Sequence, residues 1–516
     1  MSSRIEHAVQ MLASWRVSLA QRSFFYGLSL DKKSGIFDTS KFIADPWAGE
    51  PSVGRGILDG SFDVDIQAIF AEKRWDGAIY AASFVWMRDL QALGGHSCRK
   101  FARNSISEFI NGYRKTKRFW LAPVWNCRAA GERVVNWIFS YSFFASGASD
   151  KFQKEVLSSM CEHFSHLRKC YRAEPQPYNR LVALKAILFC LSVMKTFQQR
   201  QVNRVIAQIY RLAQSCIKDG MFETRSPVDT FHAFRSLLEV RFVAKANGAE
   251  LPDGFAALLS KMAANIRLLR LGNGELSAHS GSFTPASSPF VPSRHMIDTA
   301  LSIVDIKDHV ASVPDFERLS TKKAVALINI IPRSVRSSFN ELSEPGINIF
   351  DFEASFRSDK LINRSDISVI FDGLRIKLPK SPQITCQRKL RNSSPFFEGE
   401  VHFINKAFEF AMRREIELAT DRIQINCTDF VFLSRKFEAV FRFVLGKSVE
   451  LQKINQHSIQ LSNADEKYVF TILSGGVSNV RLSSLDDRLY PTIEVSAISE
   501  GCEAIQFDWS IESLMQ

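Results

Sequence analysis

The chain has 516 residues, 46% hydrophobic and 23% charged, the composition of a soluble globular chain long enough for two or three domains with full cores. Its 66 Lys and Arg against 54 Asp and Glu leave a formal charge of +12, which favours an anionic partner such as nucleic acid, an acidic polysaccharide or a membrane surface, or is scattered and serves only solubility. The nine cysteines form no CxxC pair, so neither a zinc cluster nor a disulfide framework is expected, and free thiols in apolar contexts fit a reducing compartment.

In chain order, the N-terminal run MSSRIEHAVQMLASWRVSLAQRSFF is interrupted by Arg4, Glu6, His7 and Arg16. It therefore lacks the apolar core of a signal peptide, and the default location is cytoplasmic. DPWAGEP (Asp45 to Pro51) and the stretch around RWDG (Arg74 to Gly77) read as loops anchored by aromatic residues. From about Ser83 to Leu271 the apolar spacing is helical, as in SFVWMRDLQAL, RVVNWIFSYSFF, FQKEVLSSMCEHFSHLRKCY, QVNRVIAQIYRLAQSC and FAALLSKMAANIRLLRL. Short links such as GASD, EPQPYN, KDG and LPDG join these segments, which predicts antiparallel helical hairpins. The most apolar segment, LVALKAILFCLSVM (Leu181 to Met194), carries Lys185. It falls short of the roughly 20 apolar residues that a membrane span requires, and a buried helix explains it better.

Leu271 to Ser293 is rich in Gly, Ser and Pro and reads as a long loop or linker. After about Thr299 the period becomes two. VALINII, ISVIFDGLRIKL, FEFAMRREIEL, DRIQINC, VFRFVLG, HSIQLS, KYVFTIL, TIEVSAI and AIQFDW are among about a dozen short strands that predict an antiparallel sandwich. The expected division is a helical domain at 1–290, with a mixed N-terminal segment, and a β-sandwich at 300–516.

The order of landmarks resembles the heparinase II/III-like proteins, bacterial polysaccharide lyases and their relatives. It runs through DPWAGEPSVGRGILDGSF, WMRDLQALGG, VWNCRAAGERVVNWIFSYSFF, PYNRLVALKAILFCL, DGMFETRSP and LRLGNGEL, then more patchily through FERLSTKKAVALI, FEFAMRREIEL and VFRFVLGKSVEL. The resemblance implies an N-terminal α/α toroid, an incomplete helical barrel, followed by an antiparallel β-sandwich. It implies β-elimination on a uronate-containing polysaccharide, with no metal and no redox or nucleotide cofactor. That chemistry needs a cation or donor at the substrate carboxylate, a base for the C5 proton and an acid for the leaving oxygen. The family's location implies the periplasm or cell envelope as the alternative to the cytoplasm.

The chain departs from the family's acid–base pattern. The Asn-His pair at the start of a toroid helix is Asn179-Arg180 here, and the expected Tyr-His falls on Asp229-Thr230, or on Phe231-His232 after a two-residue shift. The sandwich motif Arg-Phe-His-x-His reads Arg442-Phe443-Val444-Leu445-Gly446. The resemblance with these departures implies lyase activity that is weak or lost, the alternative being a non-catalytic scaffold that binds an acidic glycan. Nucleic-acid binding rests on charge alone and has no recognition motif behind it.

Nine residues carry the expected site. Asn179, Tyr178 and His232 are the catalytic candidates; Trp125, Arg133, Trp137, Arg180, Glu223 and Arg225 are the substrate-binding ones. Asn179 either meets a carboxylate or caps a helix from Arg180 to Phe197. Arg180 either clamps a carboxylate bidentately or is an exposed helix-start cation. Tyr178 is an acid or base, or a staple after Pro177. His232 is catalytic or packed. Glu223 and Arg225 line a cleft or pair with each other. Trp125, Arg133 and Trp137 offer aromatic faces and a cation to a sugar, and one of the two tryptophans is expected at a cleft. The basic run RKTKRFW (Arg114 to Trp120) suits an anionic polymer or a solvated loop.

Overall fold

The computed structural model describes residues 17, 20, 21, 23 and 25–514, apart from 63, 67–68, 70–75, 278–291, 306–310, 312, 331–348, 357–358, 378, 380–381, 406, 447–448, 464–465, 475–476, 485–490 and 500–503. The first half is helical. Its principal helices are α1 (Pro51–Asp59), α2 (Asp76–Ser83), α3 (Met87–Leu93), α4 (Gly95–Lys115), α5 (Cys127–Phe139), α6 (Asp150–Cys170), α7 (Pro177–Ser192), α8 (Gln199–Cys216), α9 (Pro227–Ala246), α10 (Phe255–Leu268) and α11 (Arg294–Ser302).

Local chemistry sets the helix starts. Asn126, Ser149, Ser226 and Ser293 each accept a backbone N–H of the first turn of α5, α6, α9 and α11. Pro occupies the first position of α1, α7 and α9, where its missing N–H is harmless. α7 begins at Pro177 with Gln176 at its cap and ends at Ser192, so Asn179 lies inside the first turn and is not the cap. The segment expected as one helix from Ser83 is broken between α2 and α3, where Phe84 takes φ +55° and buries its ring with Trp86. Asp76 and Gly77, expected in a loop, open α2, while Arg74 and Trp75 lie outside the described residues. The DPWAGEP loop is anchored as expected, with the Trp47 indole N–H donating to Glu239 Oε1 at 2.7 Å.

Helices α5, α7 and α9 are buried almost all round and form the inner layer of the toroid; a helix with no solvated stripe belongs at a centre. Outer helices bury one face: α8 does so through Val202, Val205, Ile206, Ile209, Ala213 and Cys216. Between α8 and α9 lies a two-stranded hairpin, β1 (Ile217–Lys218) and β2 (Met221–Phe222). Asp219 and Gly220 make its turn with φ +51° and +76°, the double positive φ that a tight hairpin demands.

The second half is all antiparallel. Its strands are β3 (Phe316–Ser320), β4 (Ala324–Asn329), β5 (Phe352–Phe356), β6 (Asp359–Phe371), β7 (Leu374–Arg375), β8 (Gln383–Arg391), β9 (Ser394–Ile404), β10 (Glu409–Leu418), β11 (Gln424–Leu433), β12 (Glu438–Leu445), β13 (Glu450–Lys453), β14 (Ser458–Asn463), β15 (Glu466–Ser474), β16 (Val477–Ser484), β17 (Pro491–Ile498) and β18 (Ile505–Ser513). One sheet runs β16-β17-β12-β6-β5-β4-β3 with β7 beside β6, and the other β13-β14-β15-β18-β11-β10-β9-β8. Burial alternates along β10 and β12, and along β11 from Ile425 onward, so one face of each sheet enters the shared core. Across that core Phe441 stacks on Phe507 and Phe443 meets Trp509, at 4.4 and 4.7 Å between centroids. Arg414 and Asp429 pair inside it, and Asp429 also accepts the Trp509 indole N–H at 3.1 Å.

The two halves meet along an apolar seam of Met221, Leu269 and Leu271 against Val313, Phe316 and Leu327. Polar bonds flank it: Gly272 N donates to Ser355 Oγ at 2.7 Å, Ser277 Oγ to Glu353 at 2.9 Å, and Arg225 pairs with Asp315. The described start of the expected linker, 271–277, is thus part of this joint, while 278–291 lie outside the described residues.

Candidate functional site

The starts of α5, α7 and α9 converge at one end of the helical layer. Arg128 is the second residue of α5, Tyr178 the second of α7, and His232 lies in the second turn of α9. The Arg128 guanidinium sits over the Tyr178 ring at 5.3 Å, and the Tyr178 and His232 rings are 6.2 Å apart between centroids. Two of the three expected catalytic residues are therefore neighbours across 54 residues of sequence. Both are 4% exposed. Neither imidazole nitrogen of His232 has a hydrogen-bond partner among the described residues.

The surroundings set the charge state of each group. Burial holds the Tyr178 phenol above its ordinary range, and Glu132 adds to the effect. Burial pushes the His232 imidazole well below its own range, aided by the cations of Arg235 and Arg128. At neutral pH the pair is thus a protonated phenol beside a neutral imidazole.

Behind this pair the three inner helices enclose a network of four charges. Lys185 Nζ lies 2.6 Å from Glu239 and 3.4 Å from Glu132; Arg235 lies 3.4 Å from Glu239 and 3.5 Å from Glu132. Burial opposes the charges of Glu132, Lys185 and Arg235, but their partners outweigh it. Glu132 is drawn down to about 2, and Lys185 is raised by the two carboxylates. Two cations and two anions close the account without a net charge, the condition under which buried ions persist. The interruption at Lys185 was the sequence signal for this cluster. Arg128, Glu132, Arg235 and Glu239 carried no signal of their own, because helices buried all round show no polar face.

The other expected residues fall in two groups. Asn179 and Arg180 remain at the rim, half-buried, but both turn to Glu174: Asn179 Nδ2 donates to its carboxylate at 3.3 Å, and Arg180 Nη2 to its carbonyl at 2.7 Å. Glu223 is exposed nearby; its carboxyl is raised by partial burial and lowered by Arg180. Arg225 pairs with Asp315 of the seam and not with Glu223, because φ +57° at Arg225 turns it toward the sandwich. Asp229 and Thr230 are engaged locally, with Thr224 and with the Ser226 carbonyl.

Arg133 and Trp137 are core residues, both 0% exposed. Arg133 donates to His163 Nε2 at 2.8 Å and to the carbonyls of Ala82 and Val124 at 2.6 and 3.1 Å. His163 must accept there, which agrees with burial holding its imidazole well below the ordinary range. Trp137 is covered because α5 is enclosed on every side, while Trp125 lies in the turn before α5 and is 1% exposed. Trp137 packs on Phe84 and Phe109, while Trp125 stacks on His163 at 4.1 Å and helps line a cavity of about 260 Å³. The basic run supplies Arg114 to a shallow surface depression shared with Lys32, Lys151 and Lys154. Among the described residues no cluster suits a metal ion, and no helix is long and apolar enough to cross a membrane.

This arrangement, an incomplete α/α toroid followed by an antiparallel sandwich, is a polysaccharide-lyase-like fold. No family model matches the chain. Among solved structures it is similar to a heparinase III, with a TM-score of 0.55 at 12% identity over 84% of this chain and 76% of that one. A second heparinase III structure gives 0.51 at 12%, over 93% and 86%. A mutant of the heparan sulfate lyase HepC from Pedobacter heparinus gives 0.50 at 12%, over 98% and 88%. Among curated proteins the chain is 24% identical over 250 residues to FtsZ-localized protein C of Caulobacter vibrioides, a match covering 46% of this chain and 42% of that protein. The match spans less than half the length of that relative. At these identities the solved structures speak for the fold alone.

Proposed function

We propose that this chain is a lyase-like protein that binds an acidic, uronate-containing polysaccharide at the mouth formed by α5, α7 and α9, with β-elimination weak or lost. One observation carries the reading: Tyr178 and His232 meet beside Arg128. Arg128 is half-buried and offers its charge to a uronate carboxylate. His232 is neutral and can take a proton, while Tyr178 keeps its own and can give it to a leaving oxygen. Asn179, Arg180 and Glu223 edge the same mouth. Weak turnover follows from the enclosure of both rings and from the neutralisation of Lys185 and Arg235 by Glu132 and Glu239, which leaves those cations little charge for a substrate.

The test pairs two measurements on heparan and chondroitin sulfates and on unsulfated uronate polymers: equilibrium binding, and absorbance of unsaturated uronate product. Binding is expected, weaker in Arg128→Ala and most sensitive to that change at low salt. Any slow turnover should vanish in Tyr178→Phe and His232→Ala. Folded protein that binds none of these polymers would overturn the reading.

A second reading is favoured by the similarity to FtsZ-localized protein C: the chain is a non-catalytic component recruited to an assembly that contains FtsZ. Co-sedimentation with FtsZ filaments tests it directly, and failure to co-sediment counts against it.

A further inference from the structure

A pair of thiols lies beside the mouth, at the junction of α5 and α6. Cys127 opens α5 and Cys170 closes α6, 43 residues on, and their Sγ atoms are 3.3 Å apart in a buried setting. No other two described cysteines touch through their sulfurs. The pair borders the cavity of about 260 Å³, together with His166, Glu174, Trp125 and Gln21. That space exceeds by several-fold the roughly 30 Å³ share of one water molecule, so a small peroxide fits. His166 lies one turn before Cys170 on the same helix. Its Nε2 meets the Trp125 carbonyl at 2.8 Å and its Nδ1 the Tyr26 hydroxyl at 3.0 Å, which fixes the ring.

The two sulfurs are not equivalent. The contact with Cys127 draws the Cys170 thiol well below its ordinary range against the opposing effect of burial, and His166 adds to the draw. The same contact, with burial, holds Cys127 above its range. This asymmetry favours Cys170 as the attacking sulfur, since the thiolate is the form that reacts.

We propose that Cys127 and Cys170 form a redox-active dithiol that a hydroperoxide converts to a disulfide, with Cys170 as the attacking sulfur. The Cys170 thiolate attacks one peroxide oxygen, the O–O bond breaks, and the departing alkoxide or hydroxide takes up a proton to leave as alcohol or water. Cys170 becomes a sulfenic acid. The Cys127 sulfur then attacks the Cys170 sulfur, and hydroxide leaves as water with the Cys127 proton. Two thiols lose two electrons and the peroxide gains them. The sulfurs must close from 3.3 Å to about 2.05 Å, a movement that side-chain rotation at two helix ends can supply. Glu174 lies four residues beyond Cys170 and holds Asn179 and Arg180, so the bond would tie the loop that supports the start of α7 to the start of α5. The proposal does not depend on glycan binding.

The experiment uses the full chain with Cys386→Ser, which removes the one exposed thiol among the described residues. Hydrogen peroxide treatment, thiol alkylation and peptide mapping should yield a cross-linked peptide joining 127 and 170, lighter by two hydrogens. It should form on the order of tenfold faster than oxidation at the buried Cys190 and Cys427, whose thiols burial holds protonated. Cys127→Ser should halt at a sulfenic acid on Cys170 that a dimedone probe traps. Should Cys127→Ser fail to fold, the map of the Cys386→Ser protein decides by itself. Recovery of Cys127 and Cys170 as separate alkylated thiols, no faster to oxidise than Cys190, would overturn the proposal.

Discussion

Lys185→Met removes one cation from the enclosed network and leaves Arg235 as the ion-pair partner that Glu132 and Glu239 share. Met matches the stem of Lys in length, so the change is mostly one of charge. Removing one partner of a buried pair costs about 3–5 kcal/mol. A second route bounds the same figure. The orphaned carboxylate can take a proton, and at pH 7 this costs about 1.4 kcal/mol for each unit above a reference near 4.3, or roughly 3.7 kcal/mol. The penalty should therefore lie near 4 kcal/mol at pH 7 and fall to about 1 kcal/mol at pH 5. The sign follows because the variant's folded state raises a carboxyl pKa. It binds a proton that the unfolded chain has released, so its stability drops as pH rises. Urea unfolding followed by tryptophan fluorescence at pH 5, 6 and 7 measures this against the parent chain. The double variant Lys185→Met/Glu239→Gln leaves Glu132 paired with Arg235 and keeps an acceptor for the Trp47 indole. It should return to within about 1.5 kcal/mol of the parent. A penalty independent of pH, or a double variant no more stable than Lys185→Met, would refute the reasoning.

The remaining predictions concern single sites. His232→Phe removes an imidazole with two unpartnered buried nitrogens and should stabilise the protein by about 1–3 kcal/mol. It should also flatten the loss of stability as pH falls below about 6.5, because the unfolded chain binds a proton there that the buried imidazole refuses; urea midpoints between pH 5 and 7 report both. Arg414→Met strands Asp429 inside the sandwich with only the Trp509 indole among the bonds that held it. It should cost about 3–5 kcal/mol, read as a lower midpoint with loss of near-ultraviolet circular dichroism. Arg225→Ala breaks a partly solvated pair at the seam and should cost about 1 kcal/mol or less. Its clearer effect should be a separation of the helical and sandwich transitions in calorimetry, and a single unchanged transition would count against the seam as a coupling element.

The helical first half and the stranded second half were legible in the sequence because amphipathic periods are local. α8 shows its buried stripe at Val202, Val205, Ile206 and Ile209, and β10 alternates from Phe410 to Leu418. The landmark order also pointed to Tyr178 and His232, which the fold does bring together. What periodicity could not decide was the direction of side chains on helices enclosed on every side. Arg133 and Trp137 share one face of α5 in a helical projection, as a sugar-binding pair would, yet both face the core. Glu132, one residue away, enters the ionic network at the toroid centre. The cap of α7 fell to Gln176 because Pro177 takes the first helical position, and Arg225 was drawn to Asp315 by an interdomain joint that no local pattern encodes. Residue types and periods thus determined the order of helix and sandwich. Which charges pair, which tryptophans are covered and which two cysteines meet was decided by tertiary structure alone, since each depends on the distance between segments remote in the chain.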